Sequence, residues 1–247
     1  MVRGRAVAVV VLVLLAGCQG FDSGGDKTVT PAPVPTASGE GVGDADAIAE
    51  RHRAALSNRS YTATAVWRVT YPNGSTGRLT DTFVVSDGPT YSYERRQRGS
   101  YPGDRDDISI YQTDDTEFVR LRAENGTTDV RTRPTTGFDD TSLSDFVRGL
   151  LDRFDLAVEQ TTDRAVLTGS QHEFRTIPLP GDLRNGRNAT VEATIRDGVV
   201  RQMTVSGRAD HPDSGQSVGV SISLTVERVG RSEPERPAWA NESAAGG

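Results

Sequence analysis

The sequence predicts a β-dominated α+β domain, a curled antiparallel sheet of about eleven strands with two covering helices. Three observations carry that prediction. Apolar and polar residues alternate with a period of two through most of residues 61–226. Asn-Gly or Asp-Gly pairs punctuate the alternation at 73–74, 87–88, 125–126 and 197–198. Only two stretches, 44–57 and 143–154, switch to spacings of three and four.

The first of these places Ala45, Ile48, Ala49, His52, Ala55 and Leu56 on one helical stripe, with Asp44 suited to the N-cap. The period then changes. Tyr61, Ala63, Ala65, Trp67, Val69 and Tyr71 alternate with Thr62, Thr64, Arg68 and Thr70, as a half-buried antiparallel strand requires. Further strands are predicted near 76–86, 90–97, 106–112, 116–123 and 127–133. The second helix carries Leu143, Phe146, Val147, Leu150, Leu151 and Phe154 as its stripe, with Ser142 and Asp145 at capping-box spacing. Short strands follow near 156–161 and 165–174. A hairpin of 189–195 and 199–207 comes next, then a last strand at 218–226.

Strands of this length contribute about three inward residues each, roughly thirty in all. The two helices offer only about a dozen apolar residues, so a flat sheet would leave its apolar face wet. The sheet is therefore expected to curl into a half-barrel around the helices and leave an apolar groove. Tyr61, Ala63, Ala65, Trp67 and Val69 are its candidate ligand-lining residues, together with Leu143, Phe146, Val147, Leu150 and Phe154.

Ahead of the domain, Arg3 and Arg5 precede an apolar run from Ala6 to Ala16. That run is too short for a bilayer-spanning helix, which needs about 20 residues, and reads as the core of a signal peptide. Its end, Leu15-Ala16-Gly17-Cys18, resembles the lipobox of secreted lipoproteins, in which the cysteine thiol takes the lipid. An ordinary signal peptide with an incidental cysteine is the alternative. Arg3-Gly4-Arg5 does not satisfy the twin-arginine signal, so the export route stays open. Cys18 is the chain's one cysteine, which excludes an internal disulfide. The Gly-, Pro-, Ser- and Thr-rich segment after it cannot bury enough apolar surface to fold. The expected organisation is a signal peptide over 1–17, a lipidated tether over 18–43, the domain over 44–232 and an extended C-terminal tail over 233–247. In that tail Trp239 is expected to dock on the barrel.

Five of the six asparagines lie in Asn-x-Ser/Thr sequons: Asn58, Asn73, Asn125, Asn188 and Asn241. They are candidate N-glycosylation sites, in keeping with exposed loops of an exported protein. Asn-Gly turns in a Ser/Thr-rich chain also create sequons by accident.

Charge narrows the function classes. The 27 arginines and one lysine face 34 acidic residues, for a formal charge of −6. An acidic, lysine-poor chain suits no nucleic-acid partner, since cations supply most of that affinity. The same composition resembles proteins of extreme halophiles. The short signatures of serine hydrolases, zincins and phosphate loops are absent from the sequence, and no enzyme activity, cofactor or metal is expected. Asp104-Arg105-Asp106-Asp107, Asp114-Asp115 and Asp210-His211-Pro212-Asp213 lack the calcium-loop pattern and read as solvated surface. His52 is expected at the edge of the core, on the first helix.

Signal peptide, lipobox, tether, helix, long meander, amphipathic helix and final hairpins, in that order, resemble the LolA/LppX-like lipoprotein superfamily, most closely its haloarchaeal lipoproteins. The resemblance covers residues 44–230 in element order, and the lipobox is its one specific motif. It implies a LolA-like half-barrel that holds a lipid or other apolar ligand, on a protein anchored to the outer face of the cell membrane through lipidated Cys18. No short motif transfers ligand residues. A structural or interaction lipoprotein of the envelope, with a protein partner and no ligand, is the alternative expectation.

Overall fold

The period-two segments all become strands. A computed structural model describes residues 43–102, 106–135, 141–161, 163–174 and 183–242. The expected signal peptide, Cys18 and the tether up to residue 42 lie outside the described residues. Helix α1 (Gly43–Leu56) leads into β1 (Tyr61–Thr70), β2 (Thr76–Val85) and β3 (Tyr91–Gly99). Next come β4 (Asp107–Gln112), β5 (Thr116–Arg122) and β6 (Thr128–Pro134). Helix α2 (Ser144–Leu151) precedes β7 (Asp155–Gln160), β8 (Ala165–Phe174), β9 (Arg184–Arg196), β10 (Val199–Asp210) and β11 (Ser217–Glu227). A short helix, α3 (Ala238–Glu242), stands where the sequence suggested extended chain.

The described strands form one open antiparallel sheet in the order β6-β5-β4-β3-β2-β1-β11-β10-β9-β8-β7. Two meanders, β1–β6 and β7–β11, meet where β1 pairs with β11. Consecutive strands β6 and β7 therefore sit at opposite edges. A flat sheet with ten strand spacings would be about 48 Å wide. The link between those edges has one eight-residue helix, rising about 12 Å, and twelve other residues that reach at most about 40 Å. Flat, the link would be pulled taut. A curled half-barrel lets it cross the concave face with α2 lying against the sheet.

Several contacts show where that helix rests. The Trp67 and Phe146 rings meet edge to face at 5.5 Å between centroids. Gly169 on β8 leaves room for Phe154: a Cβ there would lie 3.0 Å from the Phe154 Cβ. Val147, Leu150, Leu151 and Phe154 are all buried, as are Leu167, Ala193, Met203, Ile222 and Leu224 from the strands beneath. The Asp197-Gly198 hairpin takes positive φ at both residues, 53° and 76°, which Gly tolerates without cost.

His52 corrects its sequence reading. Its ring is fully buried rather than at the core edge. Nδ1 accepts the Val200 backbone N–H at 3.1 Å, which makes Nε2–H the donor to the Ser142 carbonyl at 2.8 Å. One side chain thus ties α1 to the β9–β10 hairpin and to the entry of α2. The capping box does not form either. The residue before α2 is Leu143 with φ 60°, so Ser142 sits one position too early and its Oγ accepts the Ser144 N–H at 3.2 Å. As a result α2 is shorter than 143–154, and Phe154 belongs to the turn after it, still buried. Asp44 lies inside the first turn of α1 rather than at its cap.

Candidate functional site

The concave face is set by register. Inward-facing Trp67 opposes Leu79, Ala65 opposes Asp81 and Ala63 opposes Phe83. One strand on, Leu79, Asp81 and Phe83 oppose Gln97, Arg95 and Tyr93. The same face continues through Ile108 and Ile110 on β4 to Leu121 and Val119 on β5.

Most of the sequence-predicted lining residues lie under the helices. Tyr61, Ala63, Ala65, Val69, Val147, Leu150 and Phe154 are at most 2% exposed and form packed core. Trp67, Leu143 and Phe146 alone among the ten remain half-buried. The residues that extend this accessible surface are Leu79, Ile108, Ile110, Val119 and Leu121, all half-buried. With Trp67 they form two apolar patches that the helices do not finish covering, Trp67 with Leu79 on β1–β2 and Ile108, Ile110, Val119 and Leu121 on β4–β5, with Gln97, Arg95 and Tyr93 of β3 between them. Sequence reading passed over all but Trp67, although Ile108-Ser109-Ile110 and Val119-Arg120-Leu121 each show the alternation.

Between the patches, on β2 and β3, and again toward β6 the concave face turns polar. Asp81, 4% exposed, receives Arg95 in a two-pronged pair, Nε to Oδ1 at 2.8 Å and Nη2 to Oδ2 at 2.7 Å. The Tyr93 hydroxyl also donates to Asp81 Oδ1, at 3.1 Å. Burial, with the Asp81 carboxylate second, pushes the Tyr93 phenol well above its ordinary range. Burial likewise raises Tyr101. Nearer the edge, Glu117 is 2% exposed and accepts Arg133 Nε and Nη2 at 2.9 and 2.5 Å. Desolvation first, and Glu117 second, pushes the neighbouring Tyr91 phenol up to about 12. Both carboxylates are held by arginines, and the raised phenols stay protonated at neutral pH.

Among the described residues no three His, Cys, Asp or Glu side chains gather as a metal site. Asp104 and Arg105 lie outside the described residues. Asp114 and Asp115 are exposed, and Asp210 is held by Arg187 and Asn185, whose hydrogen bonds lower its carboxyl below the usual range. His172 is exposed, and His211 stacks near Tyr71 with 6.0 Å between ring centroids. All five sequon asparagines are exposed. Asn73 and Asn125 hold their turns through Oδ1, accepting N–H groups of Ser75 and Thr127 at 2.9 Å. Asn188 lies within β9 rather than in a turn, at φ 52°. Trp239 docks on the convex face, against a small cluster of Tyr111, Phe118 and Ala240.

No protein-family description matches the chain. No curated protein matches it either. Among solved structures it is similar to Rv2717c from M. tuberculosis, at 13% identity over 71% of this chain and 96% of that one, with a TM-score of 0.24. The LolA superfamily protein NE2245 from Nitrosomonas europaea matches at 9% identity over 78% and 94%, with a TM-score of 0.25. A putative outer membrane lipoprotein-sorting protein domain from Vibrio parahaemolyticus matches at 9% identity over 81% and 97%, with a TM-score of 0.27.

Proposed function

We propose that the protein is a lipid-anchored, outward-facing member of the LolA-like group that holds a lipid or other amphipathic ligand on its concave face. The observation that carries this reading is the half-buried apolar surface of Trp67 and Leu79 on β1–β2 and of Ile108, Ile110, Val119 and Leu121 on β4–β5. An acyl chain laid along it would remove apolar surface from water, at about 25 cal/mol per Å². A polar headgroup would meet the Arg95–Asp81 pair between these residues or the Arg133–Glu117 pair at the edge of the same face. Cys18, in Leu15-Ala16-Gly17-Cys18, would supply the anchor, and the exposed sequon asparagines would be open to glycosylation.

A second reading, an envelope lipoprotein without ligand, is favoured by one fact: the helix-covered part of the concave face is filled by its own side chains. One experiment separates the two. Organic-solvent extraction of the purified full-length protein should release about one amphiphile per chain, identified by mass spectrometry. With Trp239→Phe leaving Trp67 as sole tryptophan, bromine-labelled lipids should quench its fluorescence. An empty extract and unquenched Trp67 would leave the structural lipoprotein.

A further inference from the structure

The convex face carries a charge pattern that folding does not explain. Arg68, Arg78 and Arg98 stand directly opposite one another on β1, β2 and β3. Like charges at paired positions of a ladder destabilise it. Arg96 and, two strands further on, Arg120 and Arg122 extend the array on the same face. All are exposed except Arg120, which is half-buried.

Counter-charges are scarce there. Glu94 is taken by Arg96 at 2.6 Å, and Asp107 accepts the Gln97 backbone N–H at 3.1 Å. Among the described residues Arg68, Arg78, Arg98 and Arg122 enter no ion pair, and Arg78 turns its Nε–H to Thr80 Oγ1 at 3.1 Å. With Glu94, Asp107 and Glu124 counted against the six arginines, the patch holds +3, which leaves −9 on the rest of a chain of net −6. Arg96, Arg98, Arg120 and Arg122 also line a shallow groove of about 580 Å³. Two apolar side chains border the array outside that groove. The Arg120 guanidinium lies 5.1 Å from the centre of the half-buried Trp239 ring, and Val130, opposite Arg120 on β6, is a large hydrophobic residue that is exposed.

We propose that this convex arginine face docks the domain on an anionic lipid surface, its guanidinium groups meeting headgroup phosphates. The array runs over four strand spacings, about 19 Å, wider than the shallow groove within it. Such an array fits many phosphates side by side better than one small anion, and guanidinium binds phosphate in two-pronged fashion. Trp239 and Val130 at its border suit the boundary between headgroups and acyl chains, where amphipathic rings settle. The acidic remainder of the surface would face away. The docking places the anchored domain flat on its membrane, so it builds on the lipid-anchored reading. It does not depend on whether the concave face holds a ligand.

The test uses the full chain carrying Cys18→Ser, so that no covalent lipid can carry it to a bilayer. In about 0.1 M salt, where the Debye length is about 10 Å, it should float with vesicles of phosphatidylcholine containing phosphatidylglycerol and not with phosphatidylcholine alone. Arg68→Gln, Arg78→Gln and Arg98→Gln together should lower the partition on the order of 100-fold, and the matching triple lysine variant should retain most of it. Equal flotation on both vesicle types, no flotation on either, or a glutamine triple that floats like the parent would each overturn the proposal. Circular dichroism of the triples guards against a misfolded variant. Lipid extraction from the same glutamine triple reads the concave face separately, because these arginines lie on the opposite side of the sheet.

Discussion

The two halves of the concave face are built from the same alternating strands, yet they end differently. Under α1 and α2, the inward residues of β1 and β8–β11 are mostly Ala, Val, Leu, Ile and Met at 0–5% exposure, with Tyr61 and the half-buried Trp67 among them on β1. On β2–β6 the same face carries Asp81, Arg95, Gln112, Glu117 and Arg133, with half-buried Ile108, Ile110, Val119 and Leu121 between them. The first half is a finished core and supplies cohesion. The second carries buried charges held by neighbours and apolar residues left incompletely covered.

The largest effect should come from the finished half. Phe154 is 1% exposed, wedged over Gly169 at the exit of α2. Phe154→Ala should cost about 3–5 kcal/mol of unfolding free energy, read by denaturant titration, since the cavity cannot collapse against a rigid sheet. A loss below about 1 kcal/mol would mean that this half is as loosely filled as the other.

The polar half should respond to pairing rather than to volume. Arg95→Met leaves Asp81 buried without its cation, and the expected cost is about 2–3 kcal/mol, less than for a fully buried pair because Arg95 is 37% exposed. Adding Asp81→Leu should restore most of that loss, since an apolar pair on this face needs no counter-charge. If the double variant were no more stable than the single, the ion pair would not be the source of the effect.

Local features of the sequence foretold local features of the fold. The alternation and the Asn-Gly and Asp-Gly turns place all eleven strands close to their observed positions. What sequence did not reveal depends on partners far along the chain. His52 is fully buried because Ser142 and Val200, 90 and 148 positions away, take its two nitrogens. The sequence offers the alternate apolar residues of Tyr61–Val69 as candidate ligand lining. Pairing of β1 with β11 puts that strand in the middle of the sheet, beneath the crossing helix. Nothing local in the sequence marks Asp81 and Glu117 as buried, because register supplies their partners Arg95 and Arg133 from the next strands. The accessible patch on β4 and β5 had a legible alternation, but nothing local shows which inward residues a helix will fail to cover.

The smallest effect, absent at neutral pH, belongs to Tyr91 on the polar half. Its phenol is 3% exposed, and burial together with the nearby Glu117 carboxylate raises it from 10.0 to about 12. A raised pKa means that the folded state prefers the neutral phenol. The stability tied to that preference is present in full below pH 10 and is lost as pH rises through 12. Within this window the parent should lose stability faster than Tyr91→Phe, by about 1 kcal/mol per pH unit. Tyr93 and Tyr101 remain in both proteins and cancel in the difference. Parallel curves for the two proteins would show that water reaches the Tyr91 hydroxyl, and the polar half would then be open down to its floor rather than only at the apolar patches.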